Sequence, residues 1–273
     1  MITGANSGIG KFVTMDLART GGNVVMVCRN QAKGLATREE IKKKTGNEQL
    51  ELMIADLSSL DSVRKLAMDY LATHDRLNIL VNNAGTIIGK RNITSEGFEE
   101  TFVTNYLSHF LLTNLLLDVL KKSAPSRIIN VSSSAHHSGH MNFEDLQGEK
   151  RYSAMNSYSQ SKLAQVLFTY ELAERLAGTG VTVSAVHPGV VRSHWGDRAG
   201  ILGIGIRIAR PFMIAPEKGA QTPVYLATSK EVEGVSGKYF SSKKEKESSE
   251  ESYRKDEAEK LWEVSLKLSG LSP

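Results

Sequence analysis

A phenol and an ammonium group stand four positions apart in the segment YSQSK, which begins at Tyr158 and ends at Lys162. In a helix, residues at i and i+4 lie on the same face, so the two groups would be neighbours. A cation close to a phenol lowers the phenol pKa by roughly 1–3 units, which makes tyrosine a usable acid–base near neutral pH. Such pairs also arise by chance, so this one indicates proton transfer only together with other motifs.

A glycine-rich segment, TGANSGIG, begins at Thr3 and precedes a predicted helix. Glycine at Gly4, Gly8 and Gly10 permits a tight turn and a close approach of the backbone to phosphate. The unpaired N–H groups at the start of the following helix attract the same anion. The turn alone is weak evidence, but turn and helix together predict a dinucleotide site.

The second predicted strand ends at Cys28 and is followed by Arg29. A site specific for NAD usually has a carboxylate here, which accepts a hydrogen bond from the 2′-hydroxyl of the ribose. Cys28 cannot take that role, whereas the guanidinium of Arg29 suits a 2′-phosphate. We therefore predict NADP(H) as the cofactor, and the alternative for Arg29 is a solvated loop residue.

Small and polar residues follow three further predicted strands. They form the segments Asn82-Asn83-Ala84-Gly85, Ser132-Ser133-Ser134 and His187-Pro188-Gly189. In a doubly wound sheet, ligands bind beyond the carboxyl ends of the strands, so these segments are candidates for the same site. A plain polar strand end is the alternative for each of them.

Asn105 lies inside a predicted helix. Asparagine is a poor helix former, so its presence there requires a local structural explanation.

Short apolar runs alternate with longer segments of helical periodicity along the whole chain. This alternation predicts a single α/β domain with a doubly wound parallel sheet. The predicted strands are 23–28, 50–55, 77–81, 127–132, 181–186 and 238–241. The predicted helices are 9–20, 31–44, 60–73, 96–121, 157–177, 216–228 and 251–268, and the charged stretch 243–260 is predicted to be a solvated loop that leads into the last of them.

Composition excludes several classes of protein. The 273 residues are 40% hydrophobic and 23% charged, which is usual for a soluble globular domain and unlike a disordered chain. The net charge of +4 is too small to call for nucleic acid. A single cysteine, Cys28, excludes an internal disulfide, and no spacing of ligands predicts a metal site.

The motifs together resemble the short-chain dehydrogenase/reductase family, in which TGxxxGxG, NNAG, a strand-end serine, YxxxK and PG occur in this order. The segments CRN, SSSAHHSG and HPGVVRS narrow the resemblance to the retinol-dehydrogenase-like subgroup, which is related to the WW-domain-containing oxidoreductase. The resemblance covers nearly the whole chain. It implies a Rossmann fold and the activity of an oxidoreductase.

The resemblance also implies a role for each matching residue. Tyr158 is expected to be the catalytic acid–base, and Lys162 to lower its pKa and hold the nicotinamide ribose. Ser133 is expected to polarise the substrate carbonyl, and the backbone of Asn105 to hold a water of the proton relay. The cofactor is expected to contact Gly4, Asn6, Ser7, Gly8, Ile9, Gly10, Arg29, Asp56, Asn83, Ala84, Gly85, Tyr158, Lys162, Pro188, Gly189, Val191 and Ser193.

The predicted function is the NADP(H)-dependent interconversion of a lipophilic, retinoid- or lipid-like aldehyde or ketone and its alcohol. The alternative is an NADP(H)-binding redox-sensing module with little turnover. Residues 1–195 are predicted to form the cofactor-binding and catalytic core, 196–232 a substrate lid region, and 233–273 the last strand and C-terminal helix. The apolar segment 200–214 is interpreted as the lid itself, with an ordinary core helix and an interfacial anchor as alternatives.

The start of the chain departs from the pattern, since only Met1 and Ile2 precede the glycine turn. Strands average about 5–6 residues, so we expect a truncated chain or a misassigned start, with at least four more residues rich in Val, Ile and Thr in the natural protein. Localisation is predicted to be cytoplasmic, with an N-terminal membrane anchor and weak membrane-surface contact left open. Pairing of helices around 105–120 and 158–170 would give a homodimer.

Overall fold

The computed structural model describes residues 1–192, 198–200, 203–204, 208 and 213–272. Within them, one sheet has the strand order β3-β2-β1-β4-β5-β6-β7-β8. Strands β1 to β7 run parallel, and β8 pairs antiparallel with β7. The strands are β1 Ile2–Thr3, β2 Val24–Cys28, β3 Leu50–Ile54, β4 Ile79–Asn82, β5 Ser126–Val131, β6 Val181–His187, β7 Lys238–Ser241 and β8 Lys244–Lys246. The predicted doubly wound α/β fold is confirmed.

Helices connect the parallel strands and cover both faces of the sheet. They are α1 Gly8–Arg19, α2 Gln31–Thr45, α3 Leu60–Thr73, α4 Glu100–Phe102, α5 Ser108–Leu115, α6 Leu117–Lys122, α7 Ala154–Arg175, α8 Pro216–Thr228 and α9 Lys255–Ser269. Two apolar clusters of buried side chains lie on opposite faces of the sheet, as β-strands with nearly all residues buried require. The order of the strands reverses between β1 and β4, so the polypeptide leaves an opening at that edge.

The central strand β1 has two residues. Ile2 pairs with Met26 on one side and with Val81 on the other. The amino group of Met1 donates to the carbonyl of Ile79 at 2.7 Å, and the carbonyl of Met1 accepts from Val81. The expectation of a longer natural first strand stays a prediction.

The predicted helix 96–121 is divided into three helices and a π-helical turn, Val103–Leu107. In that turn the N–H of Ser108 donates to the carbonyl of Val103, five residues back. The extra residue widens the helix around Asn105. This local distortion explains why a poor helix former is found at that position. Periodicity alone could not show this, because a single inserted residue leaves most of the apolar face in place.

The charged stretch after β7 is exposed at most positions and leads into the C-terminal helix, as predicted, but it is not a loop throughout. It contains β8 and a short 3₁₀ turn, Glu250–Tyr253. Ser248, Ser249 and Ser252 are buried there, and the N–H of Ser249 donates to Nε2 of His136 at 3.0 Å. Serine hydroxyls can pair with each other and with the backbone, so polar residues pack inside this segment.

Part of the predicted lid region 196–232 belongs to the core. Helix α8 packs against α1, and Ala220, Leu226 and Ala227 join the buried cluster on that face. The guanidinium of Arg127 donates to two carbonyls at the end of α8, at 2.9 and 2.8 Å. The segment 200–214 falls largely outside the described residues, so the lid stays a prediction, as do the domain boundaries.

The C-terminal helix α9 packs on α5 and α7. The Trp262 ring lies 5.0 Å from that of Phe110 and 6.0 Å from that of Phe168, measured between centroids. The guanidinium of Arg175 covers the indole at 4.2 Å, and the hydroxyl groups of Tyr106 and Ser265 are 2.7 Å apart. Because α9 covers these parts of α5 and α7, their packing is completed inside one chain. The predicted homodimer through the same helices stays a prediction.

In the part of the chain that the structure describes, no helix is both long enough and apolar enough to cross a lipid bilayer.

We expect Trp262→Ala to lower the free energy of unfolding by about 3–5 kcal/mol, the usual cost of truncating a buried aromatic side chain. Denaturant titration followed by circular dichroism measures this change. Met68→Ala is the matched control, because its side chain is 64% exposed on α3, and it should change stability by less than about 0.5 kcal/mol. Equal effects of the two substitutions would contradict the anchoring role of α9.

Candidate active site

A cleft of about 740 Å³ lies at the carboxyl ends of the strands, where the strand order reverses. The loops after all six strands from β1 to β6 contribute to its wall. This edge is where a doubly wound sheet binds its ligands, because the loops of neighbouring strands diverge there.

Most residues that the sequence singled out meet in this cleft. Those that line it are Gly4, Asn6, Ser7, Gly8, Ile9, Arg29, Asp56, Asn83, Ala84, Gly85, Ser133, Tyr158, Lys162, Pro188, Gly189 and Val191. Gly10 and Asn105 lie behind the wall, where each contacts residues that form it. Ser193 lies outside the described residues.

The glycine turn is packed tightly against the turn after β4. Gly4 and Gly8 have φ of 66° and 51°, in the left-handed region that favours glycine. A Cβ on Gly10 would lie 2.3 Å from the carbonyl oxygen of Gly4 and 2.5 Å from Nδ2 of Asn83. The same amide of Asn83 donates to the carbonyl of Thr3 at 2.8 Å. The start of α1 therefore opens on the cleft with a backbone that can approach phosphate closely, so a dinucleotide fits this turn.

Arg29 lies at the rim of the cleft with Asp56. Nη1 of Arg29 is 3.9 Å from Oδ2 of Asp56, and the arginine side chain is 62% exposed. Such an exposed pair contributes little to stability, so the guanidinium is available to an anionic ligand. Neighbouring Cys28 is buried, and burial raises the pKa of its thiol to about 11. Arg29 is thus the charged group that the end of β2 presents to the cleft.

The side chain of Asn105 joins the loop after β4 to helix α7. Its Oδ1 accepts from the N–H of Thr86 at 2.8 Å, and its Nδ2 donates to the carbonyl of Thr86 and to Oγ of Ser161, both at 2.9 Å. Ser161 lies between Tyr158 and Lys162 on α7. The amide therefore fixes the helix that carries the phenol and the ammonium group against the wall of the cleft.

Lys162 is buried beneath the cleft. Its Nζ donates to the carbonyl of Val131 and to Oε1 of Gln165, both at 2.9 Å, and lies 5.7 Å from the centre of the Tyr158 ring. Burial lowers the pKa of Lys162 to about 7. A fixed ammonium group with two acceptors is therefore poised between its charged and neutral forms near neutral pH.

The pKa of Tyr158 differs from the sequence expectation. Burial raises it to about 12, and the hydrogen bond with the Ser133 hydroxyl acts in the opposite direction. Burial therefore outweighs the lowering expected from Lys162, whose Nζ donates to Val131 and Gln165. The phenol is therefore protonated at neutral pH and ready to donate.

Two hydroxyl groups converge on one place in the cleft. The Ser133 hydroxyl pairs with that of Tyr158, and its oxygen also accepts from the N–H of Ala135 at 3.2 Å. Nδ1 of His187 accepts from the N–H of Ser134 at 3.0 Å and so holds the segment that carries the serine. Two donors at one point can stabilise negative charge that develops on a carbonyl oxygen.

Sequence reasoning missed an ion pair in the wall of the cleft, between the half-exposed side chain of Arg198 and the buried carboxylate of Glu100. The Arg198 guanidinium binds the carboxylate of Glu100 with both of its terminal nitrogens. The N–H of Gly89 donates to the Arg198 carbonyl at 2.8 Å. Glu100 is 5% exposed, and the hydrogen bonds from Arg198 and Asn92 hold its carboxyl pKa below the usual value despite burial. The partners are 98 residues apart, so no local pattern could have linked them.

Among the described residues, no group of three or more histidine, cysteine, aspartate or glutamate side chains is placed to bind a metal ion.

The sequence profile of the family described as "short chain dehydrogenase" matches residues 1–199. The chain belongs to the short-chain dehydrogenase family. Human retinol dehydrogenase 12 is 47% identical over 271 residues, which cover 99% of this dehydrogenase and 86% of that protein. Mouse retinol dehydrogenase 13 is 46% identical over 279 residues, which cover 100% and 84% of the two chains. The resemblance to the retinol-dehydrogenase-like subgroup is confirmed.

Solved structures of other proteins share the fold of this chain. An uncharacterized protein from Mycobacterium paratuberculosis superposes with a TM-score of 0.80 at 32% identity, over 99% of this chain and 92% of that chain. The RhlG/NADP active-site complex of Pseudomonas aeruginosa superposes with a TM-score of 0.70 at 26% identity, over 88% and 93%. The dehydrogenase is therefore an oxidoreductase of a fold that binds nicotinamide cofactors.

Lys162 should make stability depend on pH. Its pKa is about 7 in the folded protein and 10.5 for an exposed lysine, so the unfolded chain binds more protons between these values. The contribution of Lys162 to the free energy of unfolding is therefore lowest and constant below pH 7, and it rises as the pH increases toward 10. We expect the free energy of unfolding of the native protein, minus that of Lys162→Met, to rise over that range.

Denaturant titrations at a series of pH values check this, with the exposed Lys33→Met as a control for the loss of one positive charge. A native-minus-variant difference that stays constant from about pH 7 to 10 would show that burial does not perturb Lys162.

Proposed function

We propose that this dehydrogenase is an NADP(H)-dependent oxidoreductase that interconverts a lipophilic aldehyde or ketone and its alcohol. The observation that carries the proposal is the convergence of the Ser133 and Tyr158 hydroxyls above Lys162, in a cleft whose glycine turn fits a dinucleotide. Hydroxyl donors at one point serve a carbonyl oxygen, and the fold brings that point next to the cofactor turn.

When bound, the nicotinamide cofactor supplies the hydride, and the residues of this chain bind, orient and protonate. Gly4, Gly8 and the start of α1 would hold the pyrophosphate, and Arg29 would pair with the 2′-phosphate. Asn6, Ser7, Ile9, Gly10, Asp56, Asn83, Ala84, Gly85, Pro188, Gly189, Val191 and Ser193 complete the proposed cofactor contacts. The close approach that glycine allows at the turn supports this assignment.

In the reduction, Ser133 and Tyr158 donate to the carbonyl oxygen as negative charge develops on it. Tyr158 then gives its proton to the alkoxide, because the phenol is protonated at neutral pH and lies against Ser133. Lys162, which titrates near 7, returns a proton to the phenolate. A water held by the backbone carbonyl of Asn105 then supplies the proton that refills Lys162.

The proposed substrate class rests on the mouth of the cleft and on the relatives. Met155 and Val190 line the cleft and are 42% and 56% exposed, so the entrance presents apolar surface. An apolar wall with a few convergent polar groups favours a lipophilic molecule with one oxygen function. Relatives named retinol dehydrogenase support the same class.

The direct test is NADPH oxidation with a panel of retinal, long-chain aldehydes, steroids and quinones. Turnover of a lipophilic carbonyl supports the proposal. Tight NADPH binding without turnover of any member of the panel would instead favour the redox-sensing module.

Tyr158→Phe should lower kcat by about 10²–10⁴-fold, since the variant loses the general acid but keeps the aromatic ring. NADPH affinity, measured by quenching of protein fluorescence, should change little. The partly buried Tyr152→Phe is the matched control, because its hydroxyl bonds the Ile88 carbonyl and lies outside the lining of the cleft. Near-native kcat in Tyr158→Phe would contradict the mechanism.

Arg29→Ala should weaken NADPH binding about 10- to 150-fold, because a charge-assisted hydrogen bond contributes roughly 1.5–3 kcal/mol. NADH has no 2′-phosphate, so its dissociation constant should stay near the native value. Calorimetric titration of both cofactors measures the two effects, and Lys33→Ala controls for a nearby exposed cation. If Arg29→Ala weakens both cofactors equally, Arg29 does not recognise the phosphate.

A further inference from the structure

A histidine that the mechanism does not use lies directly behind the cleft. His109 in α5 is 1% exposed. Its Nε2 is 3.0 Å from Oγ1 of Thr3, and its Nδ1 is 3.1 Å from the backbone carbonyl oxygen of Asn105. The ring therefore connects Thr3, at the end of β1, to the carbonyl that the proposed mechanism assigns to the proton relay.

The direction of each hydrogen bond follows from the donors and acceptors at Thr3. Its hydroxyl oxygen accepts from the N–H of Asn83 at 2.9 Å and from that of Ala84 at 3.0 Å. Both lone pairs are then in use, so the hydroxyl proton must go to an acceptor. Nε2 of His109 at 3.0 Å is closer than the Val81 carbonyl at 3.4 Å. We therefore assign Nε2 as an acceptor.

With Nε2 accepting, a neutral imidazole carries its proton on Nδ1. That N–H donates to the carbonyl of Asn105. Burial keeps the ring neutral by lowering the pKa of His109 to about 4, and the charge of Lys162 acts in the same direction. One tautomer thus satisfies both partners at neutral pH.

Asn105 needs such a partner because it lies in the π-helical turn Val103–Leu107. Its side-chain amide is already used by Thr86 and Ser161. The contact with His109 takes one lone pair of its backbone carbonyl and leaves the second for a proton carrier. By binding this oxygen, the ring holds the peptide plane of Asn105 in place, and that plane sets the direction of the second lone pair.

We propose that His109 is a positioning residue that couples the turn after β4, at Asn83 and Ala84, through Thr3 to the carbonyl of Asn105. Through Thr3 it supports the turn that contacts the cofactor. Through Asn105 it aligns the relay that returns protons to Lys162. The inference rests on the proposed function, since an aligned relay has an effect only where protons are turned over.

Three substitutions separate the two connections of the ring. His109→Asn keeps a donor at the position of Nδ1, and Asn114 shows that an asparagine in this helix reaches the carbonyl four residues back, with Nδ2 at 2.8 Å from Phe110. His109→Gln keeps a polar group at the position of Nε2, so it retains the contact with Thr3 and loses that with Asn105. His109→Phe keeps the ring and loses both contacts.

We expect kcat for carbonyl reduction to fall about tenfold in His109→Gln and His109→Phe, which corresponds to about 1.4 kcal/mol, with the KM of the carbonyl nearly unchanged. His109→Asn should keep most of the native kcat. The dissociation constant of NADPH should show the opposite order, with a rise of a few-fold in His109→Asn and His109→Phe and a near-native value in His109→Gln.

The Tm of each variant, measured by thermal unfolding, shows whether His109 only stabilises the fold. If the three variants lose kcat and cofactor affinity in parallel with their loss of Tm, or if all three keep native values of both, the coupling is absent and the proposal is wrong. Should His109→Phe fail to fold, the crossed pattern of His109→Asn and His109→Gln still decides.

Failure of the proposed function has a different signature. A native protein that binds NADPH but reduces no carbonyl contradicts the enzyme, and the ordering of NADPH dissociation constants among the variants then tests the Thr3 connection alone. A native protein that binds no NADPH overturns both proposals.

Discussion

The contact between the first turn and the turn after β4 is the constraint on which the rest of the site depends. Two oxygen atoms of Thr3 form this contact. The carbonyl oxygen accepts from Nδ2 of Asn83, and the hydroxyl oxygen accepts from the backbone N–H groups of Asn83 and Ala84. Gly10 leaves no room for a Cβ in the same place. β1 and β4 are neighbours at the point where the strand order reverses, so this contact sets the width of the cleft and the place of both turns.

Polar groups buried behind the cleft transmit that geometry to the reacting groups. The amide of Asn105 ties the loop after β4 to α7, and Lys162 is held by Val131 and Gln165. Buried hydrogen bonds of this kind are costly to break, because a polar group left without a partner is not solvated. The site therefore holds its polar groups in fixed positions around a lysine that burial makes easy to deprotonate, and the desolvation of its charged form costs stability.

The sequence by itself determined the order of the elements and most of the residues of the cleft. Apolar runs and helical periodicity place nearly all strands and helices within a few residues of their observed bounds, because a doubly covered parallel sheet demands those patterns. The glycine turn, NNAG, the strand-end serines and the YxxxK segment all carry side chains or turns that local chemistry makes recognisable. Their meeting in one cleft follows from a general property of parallel sheets, whose carboxyl ends lie together.

Only the tertiary structure decided the interactions between residues far apart in the chain. The π-helical turn at Asn105, the pairing of Arg198 with Glu100 and the packing of α9 on α5 and α7 leave no periodic trace. The pKa of Tyr158 rises instead of falling because the phenol is buried, while Nζ of Lys162 donates to the carbonyl of Val131. His109 stands four residues after Asn105, a spacing that the sequence displays, but its partner Thr3 is 106 residues away. Local sequence specifies which groups exist and which face they share, whereas hydrogen-bond direction and desolvation are set by neighbours that only folding brings together.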